Sequence, residues 1–343
     1  MAPTNKAAYY PADKALTIEV AASPYPTPEA NEVIIRVSTV AINPADWKIQ
    51  SLGSDVFPGL AYPYASGFDV SGTVVETGAS VSNVSIGDRV LSYASDFTSR
   101  AGGFQQYVAA PASLTARVPE NTPLLDAAVL PSSVATAAIA LQQYLGLAHP
   151  SVPARPRNGE TVLISAGASS VGSNAIQFAV AAGYEVYTTA SPHNTAHCEA
   201  LGASRVFDYR SPTLAADLKA ALRGKRCAGA VSSVESSNAV VFDVVAASEG
   251  SRSVACTVLL SRDGVPPGIR AEMIHGYHAR DTPLAADVYG AFLPAALASG
   301  QYRCVPKPRV VGTRLEAVQA GLDVLRTGSV SCEKLVVTLA EEA

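Results

Sequence analysis

The chain has 343 residues, of which 48% are hydrophobic and 16% are charged, and its formal net charge is −4. This length fits about two domains, the apolar composition excludes a disordered chain, and the charge excludes a strongly basic nucleic-acid-binding protein. Five scattered cysteines without a CxxC pair argue against a disulfide framework and a clustered structural zinc site, so a cytoplasmic protein is expected.

The first third of the chain alternates short β-branched runs with turn residues, for example EVIIRVSTVAI, SGTVVETG and DRVLSYA. Runs with a period of two, separated by Gly, Pro, Asn and Asp, predict antiparallel strands in a barrel-like unit.

Two stretches, 127–148 and 161–184, contain no Asp, Glu, Lys or Arg. Each has the length of a membrane-spanning helix. The first contains Pro131 and several Ser and Gln residues, and the second changes from a strand-like to a helical pattern at a Gly/Ser cluster. Both are therefore expected to be interior pieces, with no membrane as a partner and no signal peptide at the N-terminus.

From Thr161 onward the pattern is strand then helix, repeatedly. The predicted strands are TVLISA, EVYTTA, RVF, AGAVSSV and SVACTVLL (253–260), and helices are expected near 173–182, 195–201, 214–223 and 239–246. This alternation predicts a parallel sheet with helices on both faces, so the fold class is α/β. Helices near 285–298 and 315–325 and a strand at 334–339 are expected to return to the first domain.

A glycine-rich turn follows the first of these strands and precedes a helix. It reads Gly167-Ala168-Ser169-Ser170-Val171-Gly172, with Ser169 in place of the middle glycine of GxGxxG. A turn in this context places free N–H groups of a helix N-terminus against a pyrophosphate. The turn predicts a dinucleotide site, and the alternative is a tight turn without a ligand.

The end of the second strand decides between the two nicotinamide cofactors. NAD enzymes place an acidic residue there for the ribose 2′-hydroxyl. This chain has Ser191-Pro192-His193-Asn194, which has no carboxylate to repel a 2′-phosphate and offers donors to it. NADPH is therefore favoured, although this turn has no Arg or Lys.

Nearly the whole sequence resembles the zinc-independent, quinone-oxidoreductase-like medium-chain dehydrogenases/reductases, and within them the fungal trans-acting enoyl reductases of polyketide biosynthesis. The matching segments include AINPADWK (41–48), ASGFDVSGTVVETG (65–78), the glycine-rich turn, SPHN (191–194), FDYR (207–210) and GSVSCEKLVVTL (328–339). The resemblance implies a GroES-like antiparallel β-barrel catalytic domain formed by residues 1–130 and 285–343. A Rossmann NADPH-binding domain, residues 131–284, lies between these two segments in the sequence.

The resemblance also implies residue roles. Ser191, His193 and Asn194 would hold the 2′-phosphate, Tyr209 would lie beside the adenosine, and residues 168–171 would cover the pyrophosphate. The nicotinamide and substrate would meet Ala45, Asp46, Trp47, Lys48 and Thr136, and Cys332 and Glu333 would approach the cofactor.

The chain departs from the zinc-dependent relatives at the positions that hold their metal. Those proteins carry Cys in the AINPAD segment and Gly-His-Glu where this chain has Gly67-Phe68-Asp69. Without these ligands no metal is expected, and the reaction must polarise its acceptor by other means. A second departure is Ser232-Ser233, where relatives usually end that strand with Asp.

Lys48 and Thr136 are the catalytic candidates. Lys48 is the one cation in the matched catalytic segment, where it would stabilise an enolate, donate a proton, bind the cofactor or simply be a surface lysine. Thr136 would hydrogen-bond the carboxamide or the substrate carbonyl, or be an ordinary helix residue. Asp46 and Asp69 are interpreted as structural groups that hold loop backbone or Lys48. His275 and His278 have no partner pattern and are interpreted as loop residues.

The leading hypothesis is an NADPH-dependent reductase of activated C=C bonds that acts on a small hydrophobic substrate such as a polyketide-like enoyl thioester. The fungal resemblance implies a substrate carried on an acyl carrier protein, a polyketide synthase as partner, and a monomer or homodimer. The alternatives are a quinone or small-enone oxidoreductase and a cofactor-binding protein with a non-redox role.

Overall fold

The computed structural model describes residues 3–94, 96–260 and 264–339. Its contacts divide the chain into one unit of Met1–Ser132 with Arg280–Ala343 and a second unit of Ser133–Ala279. In the described ranges, no helix is both long and apolar enough to cross a membrane.

The N-terminal part of the first unit is formed by antiparallel strands around one long, β-branched strand, EVIIRVSTVA. That strand is mostly buried, and it pairs with neighbours on both edges. The elements are β1 (Asn5–Tyr10), β2 (Glu19–Ser23), β3 (Glu32–Ala41), α1 (Pro44–Leu52), β4 (Tyr64–Ala65), β5 (Asp69–Thr77), β6 (Arg89–Tyr93), β7 (Tyr107–Pro111), β8 (Thr115–Arg117) and α2 (Leu124–Ala127). Strands β2-β1-β4 form a small sheet, and β3-β5-β6-β8 form part of a larger one that ends at β8, with β7 also paired to β3.

The second unit is a parallel sheet with helices between its strands. Its elements are α3 (Pro131–Ala138, whose first two residues belong to the first unit), β9 (Glu160–Ile164), α4 (Ser170–Ala181), β10 (Glu185–Ala190), α5 (Thr195–Ala200), β11 (Arg205–Asp208), α6 (Leu214–Leu222), β12 (Arg226–Ser232), α7 (Asn238–Ala246), β13 (Glu249–Gly250), β14 (Ser253–Cys256) and β15 (Arg270–Met273).

The strand order of this sheet is β11-β10-β9-β12-β14-β15, and every pair is parallel. The chain therefore builds outward from β9 in one direction and then from β12 in the other. The boundary between β9 and β12 is the point at which doubly wound sheets bind their ligands, outside the carboxyl ends of the strands.

Apolar burial explains the long charge-free stretches. Helix α3 continues as a π-helical turn over Ile139–Tyr144, and most of its side chains are buried. The second stretch contains β9 and α4, which are almost fully buried. On one side of the sheet, Leu163, Tyr187 and Val254 pack with α6 and α7.

The C-terminal segment returns to the first unit. After a π-helical turn over Ala286–Phe292 it forms α8 (Leu293–Ala298), β16 (Lys307–Thr313), α9 (Val318–Arg326) and β17 (Glu333–Thr338). Strand β17 pairs antiparallel with β3 and parallel with β16, so the last strand completes the sheet that the N-terminal strands begin.

Two of the differences in extent between predicted and observed elements have a clear physical reason. The strand expected over 253–260 ends at Cys256, and the apolar run after it is not interior, because Leu259 is 62% exposed. Helix α4 begins at Ser170 rather than near 173, because Ser169 caps it.

Candidate functional site: a dinucleotide cradle and a buried polar network

The two glycines of the turn between β9 and α4 are packed too tightly to carry a side chain. A Cβ at Gly167 would lie 2.2 Å from Thr188 Oγ1, and a Cβ at Gly172 would lie 2.2 Å from the carbonyl oxygen of Ala166. Ala166 adopts φ +53°, in the left-handed region. The two glycines therefore let the helix start close to the strands, as a dinucleotide turn requires.

Helix α4 presents its N-terminus at this turn. Ser169 accepts a hydrogen bond from the Gly172 N–H at 3.0 Å. The N–H groups of Ala168, Ser170 and Val171 have no acceptor in the part of the chain that the structure describes. Three free donors at the positive end of a 12-residue helix fit an anionic pyrophosphate.

The residues expected at the adenosine end come together at the carboxyl edge of β10 and β11. These strands pair with Ala190 opposite Asp208, so Ser191 and Tyr209, the next residues of each strand, leave the sheet side by side. Ser191 and Asn194 are buried, His193 is exposed, and the Tyr209 ring is 48% exposed. An exposed ring beside a polar turn fits the flat face of an adenine.

Arg210 supplies the cation that the Ser191–Asn194 turn lacks. Its guanidinium carbon lies 4.9 Å from the centre of the Tyr209 ring. Among the described residues, no carboxylate pairs with this guanidinium. Arg210 directly follows Tyr209 in FDYR and lies outside the turn after β10, on which the sequence-based choice of cofactor rests.

The Ser232-Ser233 departure forms a hydroxyl cluster at the ends of β9 and β12. Ser237 Oγ lies 2.9 Å from Ser165 Oγ and 2.8 Å from Ser232 Oγ, and Ser165 Oγ accepts from the Ser233 N–H at 3.0 Å. The buried Ser233 Oγ has no partner within the described residues. Since buried hydroxyls are nearly always bonded, this atom fits a ligand hydroxyl, such as a ribose, next to the glycine-rich turn.

Thr136 lies on α3 and is half-buried. In the first unit, Ala45, Trp47 and Lys48 lie on α1, and all three are half-buried. Lys48 Nζ lies 5.9 Å from the centre of the Trp47 ring and forms no ion pair with any described residue. It is therefore not held by Asp46 or Asp69, which corrects one of the expected arrangements.

Asp46 lies in the interior and does not present its carboxylate at a surface. Its oxygens accept from the Asn43 N–H at 2.7 Å, Ser66 Oγ at 2.8 Å and the Gly67 N–H at 3.0 Å. Complete burial raises its pKa to about 7, against these hydrogen bonds, which lower it. Asp46 thus fixes the start of α1, and its expected contact with the cofactor stays a prediction.

Lys334, which no sequence pattern predicted as a site residue, joins Asp69 in a buried network. Its ammonium lies 3.1 Å from Asp69 Oδ2 and also donates to Asn43 Oδ1. Asp69 further accepts from the Ser132 N–H at 2.6 Å and from Ser132 Oγ at 2.9 Å. A lysine in the apolar segment KLVV was the available signal.

Cys332 and Glu333, expected near the cofactor, lie at the start of β17 in the first unit. Cys332 adopts φ +54° and is half-buried, and burial raises the pKa of its thiol. Glu333 accepts from Arg309 at 3.0 Å. The contact between Arg309 and Glu333 joins β16 to β17.

The residues at the metal position of zinc-dependent relatives do not fit a metal ion. Phe68 is buried among aromatic rings, 6.3 Å from Tyr93 and 5.7 Å from Phe97 between centroids. The carboxylate oxygens of Asp46 and Asp69 are already engaged by hydrogen-bond donors. No group of three His, Cys, Asp or Glu side chains in the described ranges is arranged to hold a metal.

Known proteins are similar to this chain along almost its whole length. Residues 29–120 match the model of the alcohol dehydrogenase GroES-like domain. The dehydrogenase azaJ of Aspergillus niger is 42% identical over 98% of this chain and 99% of its own length. The trans-enoyl reductase himH of Aspergillus japonicus is 36% identical over 98% of both chains. The crystal structure of the CurK enoyl reductase has the same fold, with a TM-score of 0.78 at 20% identity, covering 98% of this chain and 100% of that one.

Proposed function

Because the chain belongs to the medium-chain dehydrogenase/reductase family, among its fungal dehydrogenases and trans-enoyl reductases, we propose that it reduces the activated C=C bond of an enoyl thioester with NADPH and without a metal ion. The observation that carries this proposal is the dinucleotide cradle, which consists of the glycine-rich turn (167–172), the N-terminus of α4 and Ser233. Within the described residues, three N–H groups at the start of α4 have no acceptor and the buried Ser233 hydroxyl has no partner, which supports a bound dinucleotide.

NADPH is proposed over NADH because of the charged side chains present and absent at the carboxyl ends of β10 and β11. The turn Ser191–Asn194 contains no carboxylate that would bind a ribose 2′-hydroxyl and repel a phosphate. Arg210, held against the exposed Tyr209 ring, provides a guanidinium for the 2′-phosphate. Ser191, His193 and Asn194 provide further donors.

The metal-free part of the proposal rests on the donor set. Phe68 offers no ligand atom, and the carboxylates of Asp46 and Asp69 already accept hydrogen bonds within the first unit. A zinc ion would have to break that network to gain at most two carboxylates, whereas protein zinc sites use three or four ligands.

Bound NADPH would supply a hydride to the β-carbon of the acceptor. The role proposed for this chain is to stabilise the negative charge that then develops on the carbonyl oxygen. Lys48, a cation without an ion-pair partner among the described residues, is the candidate for that oxygen. Thr136, half-buried on α3, is the candidate to hold a carboxamide or carbonyl group by its hydroxyl.

We further propose that the substrate is an apolar acyl chain carried on an acyl carrier protein, and that a polyketide synthase is the partner. The name of himH, a trans-enoyl reductase, supports this assignment. The cysteines of the chain are free thiols, which supports a reducing compartment such as the cytoplasm.

The deciding experiment measures NADPH oxidation over a panel of enoyl thioesters, free enones and quinones, together with a fluorescence titration of NADPH. Turnover of the thioesters is expected. Quinone turnover alone would favour a quinone oxidoreductase, and NADPH binding without oxidation by any acceptor would favour the non-redox role.

The same panel tests Lys48. We expect Lys48→Ala to lower kcat with the NADPH Kd little changed, while the exposed Lys307→Ala, on β16, serves as the control. Full turnover by Lys48→Ala would remove Lys48 from the mechanism without changing the reaction class.

A further inference from the structure

Three aromatic rings cluster in the segment that follows β15. The His275 ring stacks on Tyr277 with centroids 5.1 Å apart, and His278 meets Tyr277 edge-on at 4.6 Å and His275 at 5.6 Å. His275 and Tyr277 are half-buried and His278 is exposed. Two imidazole rings therefore contact one phenol ring. The prediction that His275 and His278 are ordinary loop residues does not explain this contact.

The sheet register places this cluster at the edge that carries the dinucleotide cradle. The Thr257 N–H donates to the Ser232 carbonyl at 2.9 Å, and the Ile274 N–H donates to the Cys256 carbonyl at 2.8 Å, so the carboxyl ends of β12, β14 and β15 are level. His275 is the next residue after Ile274. Strand β15 lies three strands from β9, about 14 Å at about 4.8 Å per strand.

The two halves of a dinucleotide lie on opposite sides of the switch point between β9 and β12. The Ser191–Asn194 turn, Tyr209 and Arg210 mark the β10–β11 side as the adenosine side. The nicotinamide half would therefore lie on the β12 side of the switch point, the side on which β14, β15, His275 and His278 also lie.

The proposed reaction requires an acid on this side. Hydride addition to the β-carbon leaves an enolate, and the α-carbon must then receive a proton. Histidine is the side chain whose protonation is most readily available near neutral pH. Two other groups near β15 are poorly suited, because Arg270 donates to the Tyr144 carbonyl and Ser253, and burial raises the pKa of Cys256 to about 11.

We propose that His278, positioned by ring contact with His275 and Tyr277, is the acid that protonates the α-carbon of the enolate. This inference rests on the proposed enoyl reductase function. The electron pair of the enolate C=C bond forms the new C–H bond, and the N–H bond of the imidazolium breaks. The carbonyl is restored, and water returns a proton to the neutral imidazole.

The test compares His278→Gln and His275→Asn with His149→Gln, an exposed histidine in the connection before β9. For His278→Gln we expect kcat to fall about 10²-fold, with KM and the NADPH Kd little changed. His275→Asn should show a smaller fall, since it acts through His278.

A second readout separates an acid from a structural residue. In D₂O the wild-type product should carry deuterium at the α-carbon in one configuration, and the His278→Gln product should carry both configurations, because solvent then supplies the proton. Wild-type kcat and a single configuration in His278→Gln would overturn the inference. Failure of the wild-type protein to reduce any enoyl thioester would instead overturn the proposed function.

Discussion

The ammonium of Lys334 lies 3.1 Å from Asp69 Oδ2, with 5% and 0% of the two side chains exposed. Lys334 is on β17 and Asp69 begins β5, so the pair joins the last strand of the chain to the N-terminal strands of the same unit. Asn43 and Ser132 satisfy the remaining polar atoms. A buried pair is tolerated only when such hydrogen bonds complete it.

Removing one member of this pair should be severely destabilising. Lys334→Met leaves the Asp69 carboxylate buried without its cation, and we expect the free energy of unfolding to fall by about 3–5 kcal/mol. Urea denaturation measures the change. The control is Lys307→Met on β16, whose side chain is exposed. A loss below about 1 kcal/mol, as for surface pairs, would show that the pair contributes little.

Asp46 should make the stability depend on pH in a defined direction. Its pKa is about 7 in the folded protein, against 3.8 for the free group, because burial disfavours the charged form. Between these values the folded state keeps a proton that the unfolded state has released. The stability that Asp46 contributes therefore falls as the pH rises from about 4 to about 7 and is constant above that.

The measurement is guanidinium denaturation at pH 5 and pH 8. The free energy of unfolding should fall more between these values for the wild type than for Asp46→Asn, which does not titrate. Asp55→Asn, at an exposed site, should behave as the wild type. An equal fall in all three proteins would contradict a raised pKa for Asp46.

Gly172→Ala should damage both stability and cofactor binding. The new Cβ would lie 2.2 Å from the Ala166 carbonyl oxygen, which belongs to the backbone of the turn and has little room to move. We expect a loss of about 1–3 kcal/mol in the free energy of unfolding. We also expect a higher Kd for NADPH in a fluorescence titration. Gly290→Ala is the matched control, because its Cβ would meet no atom within 4 Å; if both variants behave alike, the close approach is not required.

Arg210→Ala should change the choice of cofactor. A hydrogen bond to a charged group contributes about 1.5–3 kcal/mol, so the NADPH Kd should rise about 10- to 100-fold while the NADH Kd changes little. Fluorescence titration with both nucleotides measures this, and Arg223→Ala, an exposed arginine in the same unit, is the control. Equal weakening of both nucleotides would mean that Arg210 does not contact the 2′-phosphate.

Local sequence patterns predicted the elements whose formation depends on residues close together in the chain. The strand TVLISA and the apolar face of α4 follow from periodicity, and Gly167 and Gly172 mark the turn because only glycine fits there. Ser191 and Tyr209 were recognised through motifs, 18 positions apart in the sequence, but their adjacency follows from the parallel pairing of β10 and β11.

The sequence did not predict the surroundings of three charged residues, Asp46, Arg210 and Lys334. Asp46 lies in the matched segment AINPADWK, yet its carboxylate faces inward onto Ser66 and Gly67. Arg210 and Lys334 lie in the matched segments FDYR and GSVSCEKLVVTL, but no role was predicted for either. Arg210 contacts the Tyr209 ring, and Lys334 pairs with Asp69, 265 positions away in the chain.

The sequence by itself determined the α/β fold class, the glycine-rich turn and the absence of a carboxylate after β10, because these depend on residues close together in the chain. Only the tertiary structure decided which charged groups are buried, which are left without a partner, and which reach the carboxyl edge of the sheet. The physical reason is that solvation and Coulomb energies depend on distance in space, and in this chain strand pairing and burial set those distances.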